Sequence, residues 1–419
     1  MAPQQRRARS RRLTVVAAAV VASAALASGP GFAAGTGVIR AADPPAPPTL
    51  AAPAPTPGPD PAGTRAPAPP PAAPKPAFGA YLGYSPRGIA RMAELSKWLD
   101  GAELRVGHTY LPGDRWSNIE GRPGFLADWA RWRREKEDRI FVLNVPMLER
   151  NEAGVSDARV RSLLRRGAAG WFDHHYRALA ERLVALGVPD TVIVLGWEMN
   201  GITYTHRCGP DPEAWKTYWN RIVTTMRSVP GQEFRFDFTP SRGRDAVPWT
   251  RCYPGDDTVD IIGMDSYDQP TGRTFDEQVT EPFGLQEHVD FAAEHGKAIS
   301  YPEWGLFRNG DNAEYMRRML AWIDEHRPLY NTLTDYCPHG VWQCRQNPRS
   351  SEIYRAALSG RQEGPAPEPT TPVPAPKPVP TQPPAEPPVN CAPLDLGDWV
   401  EYWIGGRLCV RLDWWTRNG

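Results

Sequence analysis

Two glutamates sit where carboxylate chemistry is easy to build. Glu198 closes the apolar run Val192-Ile193-Val194-Leu195-Gly196-Trp197, and Glu303 closes Ala298-Ile299-Ser300-Tyr301-Pro302. Two carboxyl groups about 5–5.5 Å apart can break a glycosidic bond by double displacement, one protonating the leaving oxygen and the other attacking the anomeric carbon. The acid has to keep its proton near neutral pH, and apolar neighbours such as Trp197 and Met199 favour that by penalising the charged form. The nucleophile has to stay ionised and aimed, a task that suits a phenol donor such as Tyr267. Other polar or flat side chains fall at the ends of similar runs: His108, Asn144, Asn200, Asp237, Ser241, Asp265 and Trp304. Trp197, Asn200, Tyr267, Trp304, His108 and Trp342 are the candidate substrate contacts, with Trp304 and Trp342 as apolar floors for sugar rings. Each has a plainer explanation when taken singly, since a lone strand-end glutamate often only ion-pairs and a buried aromatic is usually core.

Residues so far apart in sequence meet only if the runs that carry them lie side by side. β-type runs occur at Phe78–Gly83, Leu104–Tyr110, Ile140–Val145, Val192–Glu198, Phe234–Phe238, Ile261–Met264, Ala298–Tyr301 and Tyr330–Tyr336. Helical patterns separate them at Pro86–Leu99, near Gly124–Arg134, at Ala168–Leu186 and Pro212–Arg227, and around Glu287, Met319 and Tyr354, with a less regular crossover after Phe238. Eight alternating units predict an α/β fold of the (β/α)8 TIM-barrel type, in which the active site lies at the carboxyl ends of the strands. Glu198 and Glu303 then end the fourth and seventh strands and face each other across the mouth. A doubly wound open sheet usually carries a Gly-rich phosphate turn after its first strand, and this chain has none. Trp98, Trp129, Trp132, Trp171, Trp215, Trp219 and Trp322 fall on helical segments and are expected to pack against the barrel.

The barrel is expected to occupy residues 78–360 of a 419-residue chain. Residues 1–34 read as an export signal, with Arg6, Arg7, Arg9, Arg11 and Arg12 ahead of an apolar run from Leu13 to Ala27. Ser10-Arg11-Arg12-Leu13 fits twin-arginine export as well as a basic Sec signal. Much of the proline, 47 residues in all, lies in two stretches, 35–77 and 361–390, which are expected to be disordered linkers. A small Trp-rich tail, 391–419, follows. Six cysteines in an exported chain imply disulfides, and their positions suggest Cys208 with Cys252, Cys337 with Cys344, and Cys391 with Cys409. A zinc site on Cys337, His339 and Cys344 lacks a fourth ligand at a recognised spacing. Lys+Arg and Asp+Glu both number 48, so net charge gives no pull toward nucleic acid or membrane. No cofactor and no metal are called for. The expected partner is a polysaccharide, bound by a secreted monomer, with a possible glycan or cell-wall contact through the tail. The plainer reading of that tail is a hairpin docked on the barrel.

In order and spacing, several segments resemble glycoside hydrolase family 26, the β-mannanase family of retaining barrel glycosidases. Trp197-Glu198-Met199-Asn200-Gly201 is similar to its acid/base motif, His-Glu-Met-Asn-Gly, and Pro302-Glu303-Trp304-Gly305 to its nucleophile motif, Pro-Glu-Phe-Gly. Gly170-Trp171-Phe172-Asp173, Tyr253-Pro254-Gly255-Asp256 and Val259 to Tyr267 also fit its pattern. The resemblance implies a retaining endo-β-mannanase in which Tyr267 contacts the nucleophile. It departs from the family at Trp197, which replaces a sugar-binding histidine, at Ile202-Thr203-Tyr204, which replaces a tryptophan-bearing segment, and at Ser241, where an asparagine is common. These positions shape sugar subsites, so other β-glycans, a transglycosylase and a non-catalytic glycan-binding barrel remain open.

Overall fold

The computed structural model describes residues 75–362 and a short antiparallel strand pair, Ala392–Pro393 with Cys409–Val410. The expected signal, almost all of both linkers and the Cys391–Cys409 bridge lie outside the described residues.

Nine strands follow one another: β1 (Ala77–Tyr81), β2 (Val106–Tyr110), β3 (Ile140–Val145), β4 (Val192–Leu195), β5 (Arg235–Phe238), β6 (Ile261–Gly263), β7 (Ser266–Tyr267), β8 (Ala298–Gly305) and β9 (Tyr330–Thr334). They pair in parallel in the order β6-β5-β4-β3-β2-β1-β9-β8, and β6 also pairs with β8, which closes the sheet. β7 pairs with the last residues of β8, so β6 and β7 are two segments of one stave. The result is a closed eight-stave (β/α)8 barrel.

The strands are buried on both faces, as a parallel barrel wrapped in helices requires. In β4, Val192 and Val194 point inward with Val106, Val142 and Ile261, while Ile193 and Leu195 face the helices. The helix Pro212–Arg227 shows how the outer layer is held. Asp211 caps it by accepting from the Ala214 amide at 3.2 Å, Pro212 opens it, and Trp215, Trp219, Ile222, Val223 and Met226 form its buried face. Trp129 and Trp132 are buried as expected.

Three expectations are corrected. The helical pattern at Ala168–Leu186 is the helix Asp173–Ala185, and a separate helix not expected from the sequence, Asp157–Ala168, precedes it. Gly170, at φ 89°, ends that preceding helix, while the Gly170 and Trp171 amides bond the Gly167 and Arg166 carbonyls. Trp171 is therefore lifted off the barrel, 61% exposed, with the Arg166 guanidinium over its ring. β4 stops at Leu195, leaving Glu198 on a turn, whereas β8 runs past Glu303 to Gly305.

The bridges Cys208–Cys252 and Cys337–Cys344 form as expected. The first ties the loop after β4 to the loop after β5. The second closes the loop after β9, and its cysteines are thereby removed from any zinc site.

Candidate active site

Glu198 and Glu303 line one cavity of about 420 Å³ at the carboxyl ends of the strands. The chain reaches each position differently. Beyond β4, Gly196 and Glu198 both take left-handed conformations, φ 59° and 49°. The Gly196 amide still bonds the Val145 carbonyl, and the Glu198 amide bonds the Thr239 carbonyl at 2.8 Å, which pins the turn to both neighbouring staves. A glutamate at positive φ is uncommon and held only by its surroundings. Glu303 lies within β8 at a register shift between Tyr301 and Trp304, the kind of bulge that re-aims a side chain at a barrel rim.

Their hydrogen bonds differ as well. Ser241 Oγ donates to Glu198 Oε1 at 2.9 Å. Burial, followed by the charge of Glu303, pushes the Glu198 carboxyl up to about 8. Tyr267 donates to Glu303 Oε2 at 2.7 Å, and Asn144 Nδ2 donates to Oε1 at 3.3 Å. Burial raises the Glu303 carboxyl too, opposed by hydrogen bonds from Tyr110, Tyr267 and Asn144. Tyr267 is braced by Thr334 at 2.8 Å.

Two more acids lie beneath. Asp237 accepts from Ser300 at 2.6 Å, Tyr330 at 2.7 Å and Thr239 at 2.8 Å, and burial raises it to about 6. Asp265 is 2% exposed, and burial, then the charges of Glu303 and Glu198, hold it well above the usual carboxylate range. A neutral acid there avoids a third buried negative charge.

The remaining candidates divide. Tyr267 and Trp197 face the cleft, Trp197 in a neighbouring cavity that also contains Glu303. There an aromatic wall runs from Tyr81 through Tyr110 and Trp197 to Tyr204, with successive ring centroids 4.6, 5.6 and 5.1 Å apart. The others line neither cavity. His108 is fully buried, its ring nitrogens 2.8 Å from Asn144 Oδ1 and 2.9 Å from Thr332 Oγ1, so it orients the amide that reaches Glu303 instead of meeting a sugar. Asn200 is buried and clamps the loop after β5: Nδ2 donates to the Ser241 carbonyl at 3.0 Å, and the Ser241 amide donates back to Oδ1 at 2.9 Å. Trp304 is 1% exposed, donates to Asn331 and packs toward Tyr354, because the residue after Glu303 in the strand turns away from the cleft. Trp342 packs against the core, its amide held by Asp335. Neither tryptophan lines either of these two cavities.

Tyr204, which the sequence placed among the subsite-shaping positions, lines both cavities; Tyr81, Tyr84, Tyr110, Asp245, Phe307 and Tyr336 also line them and were not singled out from the sequence. Tyr110 carried a usable signal, since it ends the second β-type run.

Comparison with known proteins bears on this arrangement. The family model described as glycosyl hydrolase family 26 matches residues 193–321. Among solved structures, a Bacillus subtilis mannanase matches with TM-score 0.51 and 16% identity, over 70% of this chain and 91% of that one. A double mutant of the Cellulomonas fimi endo-β-1,4-mannanase matches with TM-score 0.50 and 19% identity, over 63% of this chain and 65% of that one. A β-mannanase of family 26 from Bacteroides ovatus matches with TM-score 0.50 and 15% identity, over 68% and 89%. At such identities the structural likeness speaks to the fold. No curated protein matches the chain in sequence. The family match, which spans β8 and the turn carrying Glu198, supports the family 26 resemblance and, with it, a glycoside hydrolase.

Proposed function

We propose that this protein is an exported, retaining endo-β-glycanase acting on β-1,4-mannan, with Glu198 as general acid/base and Glu303 as nucleophile. One observation carries the proposal: two carboxyl groups on one cavity stand in contrasting environments, Glu198 holding its proton up to about pH 8 and Glu303 accepting from Tyr267 and Asn144. In the first step Glu198 gives its proton to the glycosidic oxygen while Glu303 attacks the anomeric carbon. The bond to the leaving sugar breaks, an ester bond to Glu303 forms, and the sugar departs as an alcohol. In the second step the Glu198 carboxylate takes a proton from water, whose oxygen displaces Glu303 with net retention.

Mannan leads among substrates because the family match and the mannanase neighbours point the same way. Action within a chain suits the groove, since the two cavities share Tyr204, Glu303 and Tyr336 and so continue into each other. The Arg-rich, then apolar, amino terminus and the two disulfides support export.

Reducing-sugar release from mannan, xylan, cellulose and mixed-linkage glucan tests the proposal. The wild type is expected to release oligosaccharides from mannan, and Glu303→Ala to be slower by at least about 10⁴-fold. Equal release by both proteins on every polymer would refute the catalytic roles. Cleavage of a different polymer would replace the substrate and keep the mechanism.

A further inference from the structure

A third carboxylate, Asp245, lines the cavity that holds Glu198 and Glu303. It is a non-glycine residue at φ 47°, on a turn bound at several points to Asn200, two residues beyond Glu198. Asn200 Nδ2 donates to the Ser241 and Gly243 carbonyls, and the Ala246 and Val247 amides donate to the Asn200 carbonyl at 3.1 Å each. The carboxylate packs over Gly201, where a Cβ would come within 2.9 Å of Asp245 Oδ2. Glycine at 201 thus leaves room for the acid beside the catalytic turn, and the left-handed backbone at 245 is retained by the clamp. Asp245 makes no ion pair among the described residues, whereas Arg242 and Arg273 nearby both pair with Glu281.

We propose that Asp245 recognises the sugar on the leaving-group side of the scissile bond, its carboxylate accepting hydrogen bonds from the hydroxyls of a neutral pyranose. The inference rests on the proposed roles of Glu198 and Glu303. The oxygen that Glu198 protonates belongs to the leaving sugar, so that sugar lies along the wall where Ser241, Thr203 and Asp245 stand beside Glu198. Across the same cavity are Gln269 and Phe307, the latter carrying the Arg308 guanidinium 4.8 Å from its ring centroid. A sugar bearing its own carboxylate would be repelled by Asp245 and Glu303, while sugar hydroxyls can donate to the Asp245 carboxylate beside its bond from the Ala246 amide.

The test compares two substrates with the same glycone: an unmodified oligosaccharide, whose leaving group is a sugar, and a nitrophenyl oligosaccharide, whose leaving group is not. Asp245→Gly removes the side chain and tolerates the left-handed backbone. It is expected to lower kcat/KM on the oligosaccharide by about 10- to 100-fold and on the nitrophenyl substrate by no more than about threefold. Asp245→Asn, which also tolerates that backbone and keeps one acceptor oxygen, is expected to fall between Asp245→Gly and the wild type, and it carries the comparison if the glycine variant folds poorly. Equal losses on both substrates, or no loss on either, would overturn the assignment. If the wild type prefers another glycan, the pair is made from that sugar. A wild type that cleaves nothing overturns the proposed function and this inference together, whereas a fault in the inference alone appears only in the variants.

Discussion

Glu198 stands on a left-handed turn just beyond β4, whereas Glu303 sits inside β8 at a bulge, and the two walls of the cleft differ accordingly. The turn offers its carboxyl a hydroxyl from Ser241 and places it beside another acid, Asp245. The strand offers its carboxyl a phenol and an amide, each braced from behind by Thr334 and His108. The proposed division of tasks follows from this contrast: burial penalises charge on both side chains, but the charge of Glu303 adds to that penalty at Glu198, whereas at Glu303 hydrogen bonds from Tyr110, Tyr267 and Asn144 oppose it.

The largest expected effect from breaking this asymmetry comes from the turn. Glu198→Ala should lower kcat on mannan by about 10²- to 10⁴-fold, the usual contribution of a general acid. A dinitrophenyl glycoside, which needs no proton to leave, should still load Glu303 and stall at the second step, so steady-state kinetics should show a burst. The wild-type pH profile sharpens the same contrast. In its proposed role Glu198 can donate only while protonated, so kcat/KM should decline as pH rises through about 8. Titration of activity on mannan checks this, and a flat alkaline side in the wild type would break the assignment.

Tyr267→Phe is next. Removing the 2.7 Å donor from Glu303 deletes a hydrogen bond to a charged group, and kcat/KM should drop by about 10- to 100-fold. The acidic limb should also move to higher pH, since that bond favours the ionised form. Ser241→Ala should act most weakly. Its hydroxyl favours the charged form of Glu198, so its loss should raise the alkaline limb further, with a small change in rate at neutral pH.

Much of the barrel was legible because its strands are apolar runs and its helices amphipathic, as Val192–Leu195 and Pro212–Arg227 illustrate. The positions of Glu198 and Glu303 were legible because each follows such a run. What the sequence concealed depended on direction. Trp304 follows Glu303 by one residue and so points to the opposite face, toward Tyr354, a consequence of strand alternation that a list of strand-end residues ignores. His108 and Asn200 also look like ligands in sequence, yet their polar atoms are satisfied inside the protein. The cavities are lined instead by loop residues such as Tyr84, Asp245 and Tyr336, whose approach depends on long-range packing and carries no periodic signal.

Covalent capture of the intermediate is the most direct test. A 2-deoxy-2-fluoro mannosyl fluoride oligomer slows both steps but departs readily in the first, so the glycosyl-enzyme should accumulate and be found by peptide mass spectrometry. An ester on Glu303, absent in Glu303→Ala, is the predicted result. An ester on Glu198, or hydrolysis of mannan with inversion at the anomeric carbon, would contradict it.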